Sequence, residues 1–174
     1  MIMGADIHIR LIRKSTGFVV LDDLYDGCCL EWFDNLTGRG CNEVYSKLSW
    51  RFGLPNCITE GEDFEIYQNP HDYGGYNFQW IPAKEYIDWY EKYRPYLDAG
   101  YLTEWENWAY EHNRYDPFKH EIRHYLTDGD RKENYIFREF VDEGCPDILV
   151  FKQITSLPEY ENIEDFIIYM WLDH

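Results

Sequence analysis

Apolar and polar residues alternate from the fifth position of the chain. In ADIHIRLIR (5–13), Ile7, Ile9 and Leu11 fall on one side of a strand and Asp6, His8 and Arg10 on the other. Ser15-Thr16-Gly17 supplies a turn and FVVLD (18–22) a second strand, so the chain is predicted to open with a β-hairpin. The core takes the Ile7/Ile9/Leu11 face, which leaves Asp6 and His8 on the outer or ligand-facing side. EWFDNLTGRG follows as an aromatic stretch closed by two glycines. A short helix is predicted from Asn42, as N-cap, to about Trp50, and Gly53-Leu54-Pro55 ends it. From Asn56 to Gln79 the chain reads as one long acidic and aromatic loop with NPHDYGGYN at its centre. Loops of that length in a compact domain tend to be functional or mobile.

Helical periodicity is clearest after Pro82. Tyr86, Trp89, Tyr90, Tyr93 and Leu97 recur at i, i+3, i+4, i+7 and i+11, one apolar-aromatic stripe. Pro95 interrupts the last turn and Gly100 stops it. Thr103 caps a second helix (EWENWAYEHN), with Glu106 three residues on as in a capping box. A third helix is expected from Asp116-Pro117 to near Asp128-Gly129. ENYIFREFV (133–141) fits either a short helix or a strand, and the end returns to β in DILVFKQI (147–154) and DFIIYMWL (165–172). The pattern predicts one α+β domain over 1–174. Its N-terminal hairpin and C-terminal strands join in one mostly antiparallel sheet, with an aromatic-rich helical region inserted at about 82–128.

Composition changes that picture in two respects. A chain of 174 residues with 45% hydrophobic content is long enough for one real core and is not disordered. Its aromatic share of 19%, including 16 Tyr and 7 Trp, exceeds what one core needs and suits contact surfaces as well. Charge is the second respect: 16 Lys and Arg against 33 Asp and Glu leave a net −17. A field of that sign repels nucleic acid and anionic lipid and speeds encounter with basic surfaces, although acidity also serves solubility alone. The five cysteines (Cys28, Cys29, Cys41, Cys57, Cys145) are odd in number and lack a CxxC pair. With no secretory signal pattern and no apolar run long enough for a bilayer, they point to reduced thiols in a cytoplasmic protein.

The sharpest chemical motif is His120-Glu121-Ile122-Arg123-His124, which fits H-E-x-x-H. On a helix both imidazoles can grip one zinc ion while Glu121 activates a bound water, and Glu139 or Glu143 is available as third ligand. Against this, Arg123 puts a fixed positive charge inside the motif and the segment is strongly polar, so a solvated histidine pair is the plainer reading. Asp6-x-His8 also begins the first metal motif of calcineurin-like phosphoesterases, but the later motifs are missing or out of order. A looser set remains. Asp6, His8, His71 and Asp72 form one polar pocket if the long loop folds over the hairpin, ringed by Tyr73, Tyr76 and Trp80. Such a pocket can hold a metal or a nucleotide base, or be a salt-bridged structural network. There is no GxSxG and no phosphate-binding glycine loop, and nothing marks one carboxylate pair as acid and base.

The opening Met3-Gly4-Ala5-Asp6-Ile7-His8 resembles a group of short phage and prophage proteins that begin M-G-x-D-I-H. Further counterparts are Glu31-Trp32-Phe33-Asp34-Asn35-Leu36, Gly53-Leu54-Pro55, NPHDYGGYNFQWIPAKEY and Met170-Trp171-Leu172-Asp173. The Trp/Tyr-rich region from 86 to 127 has no counterpart in that group. The resemblance implies a viral setting in a host bacterial cytoplasm and supplies no mechanism.

Three functions are therefore expected, in this order. The first is a phage-encoded acidic interaction protein that inhibits a host defence or nucleic-acid-handling protein by occupying its basic surface. It has no cofactor and binds no nucleic acid or membrane itself. Its carboxylates would be Glu60, Glu62, Asp63, Glu65, Glu85, Asp88, Glu91, Glu104, Glu106 and Glu111. The second is a small zinc-dependent hydrolase using His120, His124, Glu121 and Glu143. The third is a nucleotide-binding sponge using the pocket near His8 and His71.

Overall fold

The opening alternation forms the expected hairpin, β1 (Asp6–Arg13) against β2 (Val19–Gly27). The computed structural model describes residues 5–39, 43–97, 99–115, 123, 126–139 and 146–173. Gly17 turns the hairpin at φ +72°, and a Cβ there would lie 2.3 Å from the Cys57 carbonyl oxygen, so only glycine fits. β2 runs five residues beyond the predicted end at residue 22, with register irregularities between Ile9 and Leu11 and between Leu11 and Ile12.

By contacts the chain divides into two compact units, Met1–Tyr90 with Gly144–His174, and Glu91–Glu143. The first unit is built on a five-stranded antiparallel sheet of order β2-β1-β7-β4-β3, completed by β3 (Arg51–Phe52), β4 (Tyr76–Pro82) and β7 (Phe166–Asp173). β7 pairs with β1 in unbroken register from Asp6↔Asp173 to Arg13↔Phe166, so the strands nearest the two chain ends share the centre of the sheet. Its almost wholly apolar sequence follows from burial on both faces. One face carries Ile7, Ile9 and Leu11 with Ile168, Met170 and Leu172. The other carries Ile12, Ile167, Tyr169 and Trp171, covered by Ile58 and by Ile66 of α2 (Glu62–Gln68).

Three helices and a 3-10 turn of this unit meet at one carboxylate. Asp147, 0% exposed, lies at the start of α6 (Pro146–Thr155). It accepts hydrogen bonds from Trp32 Nε1 of α1 (Leu30–Leu36) at 2.9 Å and from the Tyr86 hydroxyl of α4 (Ala83–Leu97) at 3.0 Å. The Tyr45 hydroxyl, in a 3-10 turn (Tyr45–Lys47), is its third donor. A carboxylate buried this deeply is tolerable only when such donors replace water. Burial pushes the Tyr86 phenol well above its ordinary value of 10, and the neighbouring Asp147 charge pushes the same way.

Several expectations are corrected here. DILVFKQI is helix α6 and not a strand, so β7 is the only C-terminal strand of the described sheet. A short apolar run bounded by Pro and Ser does not distinguish a buried strand from a buried helix. The segment 56–79 is not a continuous loop: it holds α2, α3 (Pro70–Tyr73) and the start of β4. The helix expected over 42–50 shrinks to the 3-10 turn, and its proposed cap Asn42 lies outside the described residues. α4 begins directly after Pro82 as expected and continues through Pro95 to Leu97.

The second unit also departs from an all-helical insertion. β5 (Ala99–Thr103) pairs antiparallel with β6 (Tyr135–Glu139), so of the 133–141 segment residues 135–139 are a strand; 140–141 lie outside the described residues. Between them α5 (Glu104–Glu111) starts with the expected capping box. Thr103 Oγ1 accepts from the Glu106 N–H at 3.3 Å, and the Thr103 N–H donates to Glu106 Oε2 at 2.7 Å. The third predicted helix starts outside the described residues. Its expected end is a turn in which Thr127 N–H and Oγ1 donate to Asp130 Oδ2, each at 2.9 Å. No described helix is long and apolar enough to cross a membrane. Cys28, Cys29 and Cys57 carry free thiols.

Candidate functional site

Pairing of β1 with β7 sets His8 opposite Trp171 and beside Asp173. His8 Nε2 donates to Asp173 Oδ2 at 2.8 Å, and its ring stacks on Trp171 with centroids 4.9 Å apart and planes 18° from parallel. The Arg10 guanidinium lies 4.9 Å from the centre of the same indole. Arg10 also donates to Asp22 Oδ1 and Asp63 Oδ1, each at 2.5 Å, and to Glu62 Oε2 at 3.2 Å. Burial opposes the charge on Arg10, but Asp63 and Asp22 more than offset it and hold its pKa up. Burial also pushes the Asp63 carboxyl up, and Arg10 pulls it only partly back. Beneath this network the Tyr169 hydroxyl has no hydrogen-bond partner among the described residues, and burial followed by the Asp63 charge drives its pKa far upward.

Chemically the cluster is a fastening. An imidazole oriented by a carboxylate can relay a proton. Among the described residues, however, no hydroxyl or thiol hydrogen-bonds to His8, and Arg10 is engaged by three carboxylates. The His8 end of the proposed pocket does not gather its other members. His71, Asp72 and Tyr73 are exposed on α3, Asp6 is exposed on β1, and no hydrogen bond, ion pair or ring contact joins His8 to His71 or Asp72 among the described residues. Trp80 pairs with Tyr169 and so shares the His8 face, where the Arg51 guanidinium lies 5.0 Å from its ring. Tyr76 pairs with Leu172 and lies on the opposite face, because a register shift between Tyr76 and Gln79, with Asn77 at φ +57°, reverses the alternation.

His120, Glu121, His124 and Glu143 lie outside the described residues, and of Glu139 the structure gives only its place in β6. Among the described residues no group of three or more His, Cys, Asp or Glu is placed to hold a metal ion.

The ten carboxylates expected to form an interaction surface divide between the units, six over 60–88 and four over 91–111. Asp63 is a correction: at 6% exposure under Arg10 it is a buried structural anion, not a surface charge. Glu106 is half-buried and spent on the α5 cap. Glu62, Glu85, Asp88 and Glu111 are exposed but paired with Arg10, Arg51, Lys84 and Arg138. Glu60, Glu65, Glu91 and Glu104 are exposed and carry no ion pair among the described residues.

On α5 the sequence pattern pointed to Glu104, Glu106 and Glu111 but not to the tryptophans between them. The helix exposes Glu104, Trp105, Trp108 and Glu111, while Ala109 is buried. Trp105 is 69% and Trp108 44% exposed. Trp108 stacks on His112 at 4.3 Å, with the Arg114 guanidinium 5.4 Å from its ring. Two tryptophans three residues apart with a glutamate one turn before the second were visible in EWENWAYE, but a helical aromatic pair reads first as core. No protein-family model, curated protein or solved structure matches the chain.

Proposed function

We propose that the chain is an acidic interaction protein that occupies the basic surface of a protein partner. Its carboxylates stand in for phosphates and its exposed aromatic rings supply the anchors. The observation that carries this reading is the outward face of α5, where Trp105 and Trp108 stand in solvent beside Glu104, in a chain of net charge −17. Large aromatic side chains are enriched where binding energy is concentrated, and a negative field steers encounter with a positive surface. In the phage setting implied by the opening hexapeptide, the partner is a host defence or nucleic-acid-handling protein in the bacterial cytoplasm, and the effect is inhibition.

The test uses the full chain, tagged, in bacterial lysate with and without nuclease treatment. The reading expects a partner captured equally well in both, whose own binding to DNA or RNA is then competed by added chain. Capture that vanishes with nuclease, or a partner that holds nucleic acid unaffected, contradicts it.

A further inference from the structure

Arginines of this chain follow a repeated habit. Arg10 lies over Trp171 and pairs with Asp63, Arg13 over Phe166 with Glu159, Arg51 over Trp80 with Glu85, and Arg138 over Tyr110 with Glu111. In each case a guanidinium takes an aromatic face and a carboxylate together, the pairing its flat, delocalised charge favours over an ammonium. On α5 the Trp108 ring is likewise approached by Arg114. Trp105 has the ring and an exposed carboxylate next to it in the chain, without a cation among the described residues. Trp105 is 69% exposed, Glu104, the residue before it, is exposed without an ion pair, and no cation or ring contacts Trp105 among the described residues.

We infer that Trp105 with Glu104 is the seat for an arginine supplied by the protein partner, an arginine-bearing segment whose guanidinium stacks on the indole and pairs with the carboxylate. The inference rests on the acidic-interaction reading and names the side chain that reading must recognise. Charge complementarity selects the occupant: a guanidinium satisfies both groups at once, whereas an apolar anchor leaves Glu104 desolvated and unpaired. An ammonium meets the charge but stacks poorly.

The probe is a short fluorescent Gly/Ser peptide carrying spaced arginines, with lysine and citrulline counterparts, titrated into the full chain at low salt. The arginine peptide is expected to bind most tightly. Trp105→Ala should weaken it about tenfold, the value of a partly desolvated cation–π contact, and Glu104→Gln should weaken it too, while Trp105→Phe retains most of the binding. Because Trp105 is largely exposed, an unchanged far-UV spectrum should certify each variant as folded. Equal binding of arginine and lysine peptides, arginine binding indifferent to Trp105→Ala, or no peptide binding at all overturns the inference. The lysate capture judges the broader reading separately: salt-sensitive capture that survives Trp105→Ala leaves the acidic interaction standing without this seat.

Discussion

Tyr86 and Tyr169 are both fully buried, but only Tyr86 gives its hydroxyl a partner, Asp147 at 3.0 Å. Their replacement by Phe should therefore have opposite consequences. Tyr86→Phe leaves a buried carboxylate short of a donor and is expected to cost about 1–3 kcal/mol. Tyr169→Phe removes an unsatisfied buried hydroxyl and should be neutral or stabilising, and denaturant unfolding at neutral pH separates the two. Alkali gives a second check. Both phenols are raised above the ordinary value of 10 in the fold, so stability is fully present below pH 10, where neither state ionises. As pH rises past 10 the unfolded chain releases these protons and the folded chain does not, so stability falls. Denaturation midpoints taken from about pH 8 to about pH 11 should show that fall, shallower in Tyr169→Phe. A midpoint that stays level through pH 10 contradicts the burial of these hydroxyls.

Among the elements, those with a strong period or a cap were legible in the sequence. β1 and β7 follow from alternation and an apolar run, α4 from its aromatic stripe after Pro82, and α5 from Thr103 and Glu106. The misreading of α6 has a non-local cause. What makes DILVFKQI a helix start is a carboxylate satisfied by Trp32, Tyr45 and Tyr86, all distant in the chain. α2 escaped because it is one short acidic helix whose inward side includes a charged residue, Asp63, that its pairing with Arg10 makes tolerable. The pocket drawn around His8 and His71 requires 56–79 to be a loop that folds over the hairpin; the segment instead holds α2, α3 and the start of β4, and the irregularity near Asn77 turns Tyr76 to the face away from His8. The cap of α5 is testable by itself. Thr103→Ala should cost about 0.5–2 kcal/mol, seen as faster amide exchange along α5 and weaker binding at the Trp105 face; unchanged exchange would mean that the cap is not what holds this helix.

At the scale of the molecule the dominant property is a net charge of −17. Ion pairs consume several of the surface carboxylates, so the attraction for a basic partner should reside in the exposed ones that carry no ion pair among the described residues, Glu60, Glu65, Glu91 and Glu104, with Trp105 as an anchor. Neutralising Glu85 or Asp88, each already neutralised by a cation of this chain, is expected to change partner capture much less than neutralising Glu104. The most direct measurement is retention of the nuclease-resistant partner on immobilised chain as salt is raised, for wild type and for Glu60→Gln/Glu65→Gln and Glu104→Gln variants. Screening shortens from about 10 Å at 0.1 M to about 3 Å at 1 M salt, so a partner held by these carboxylates should be released across that range and held weakly by the variants from the start. A partner that stays bound at high salt and is held equally by every variant would contradict the account.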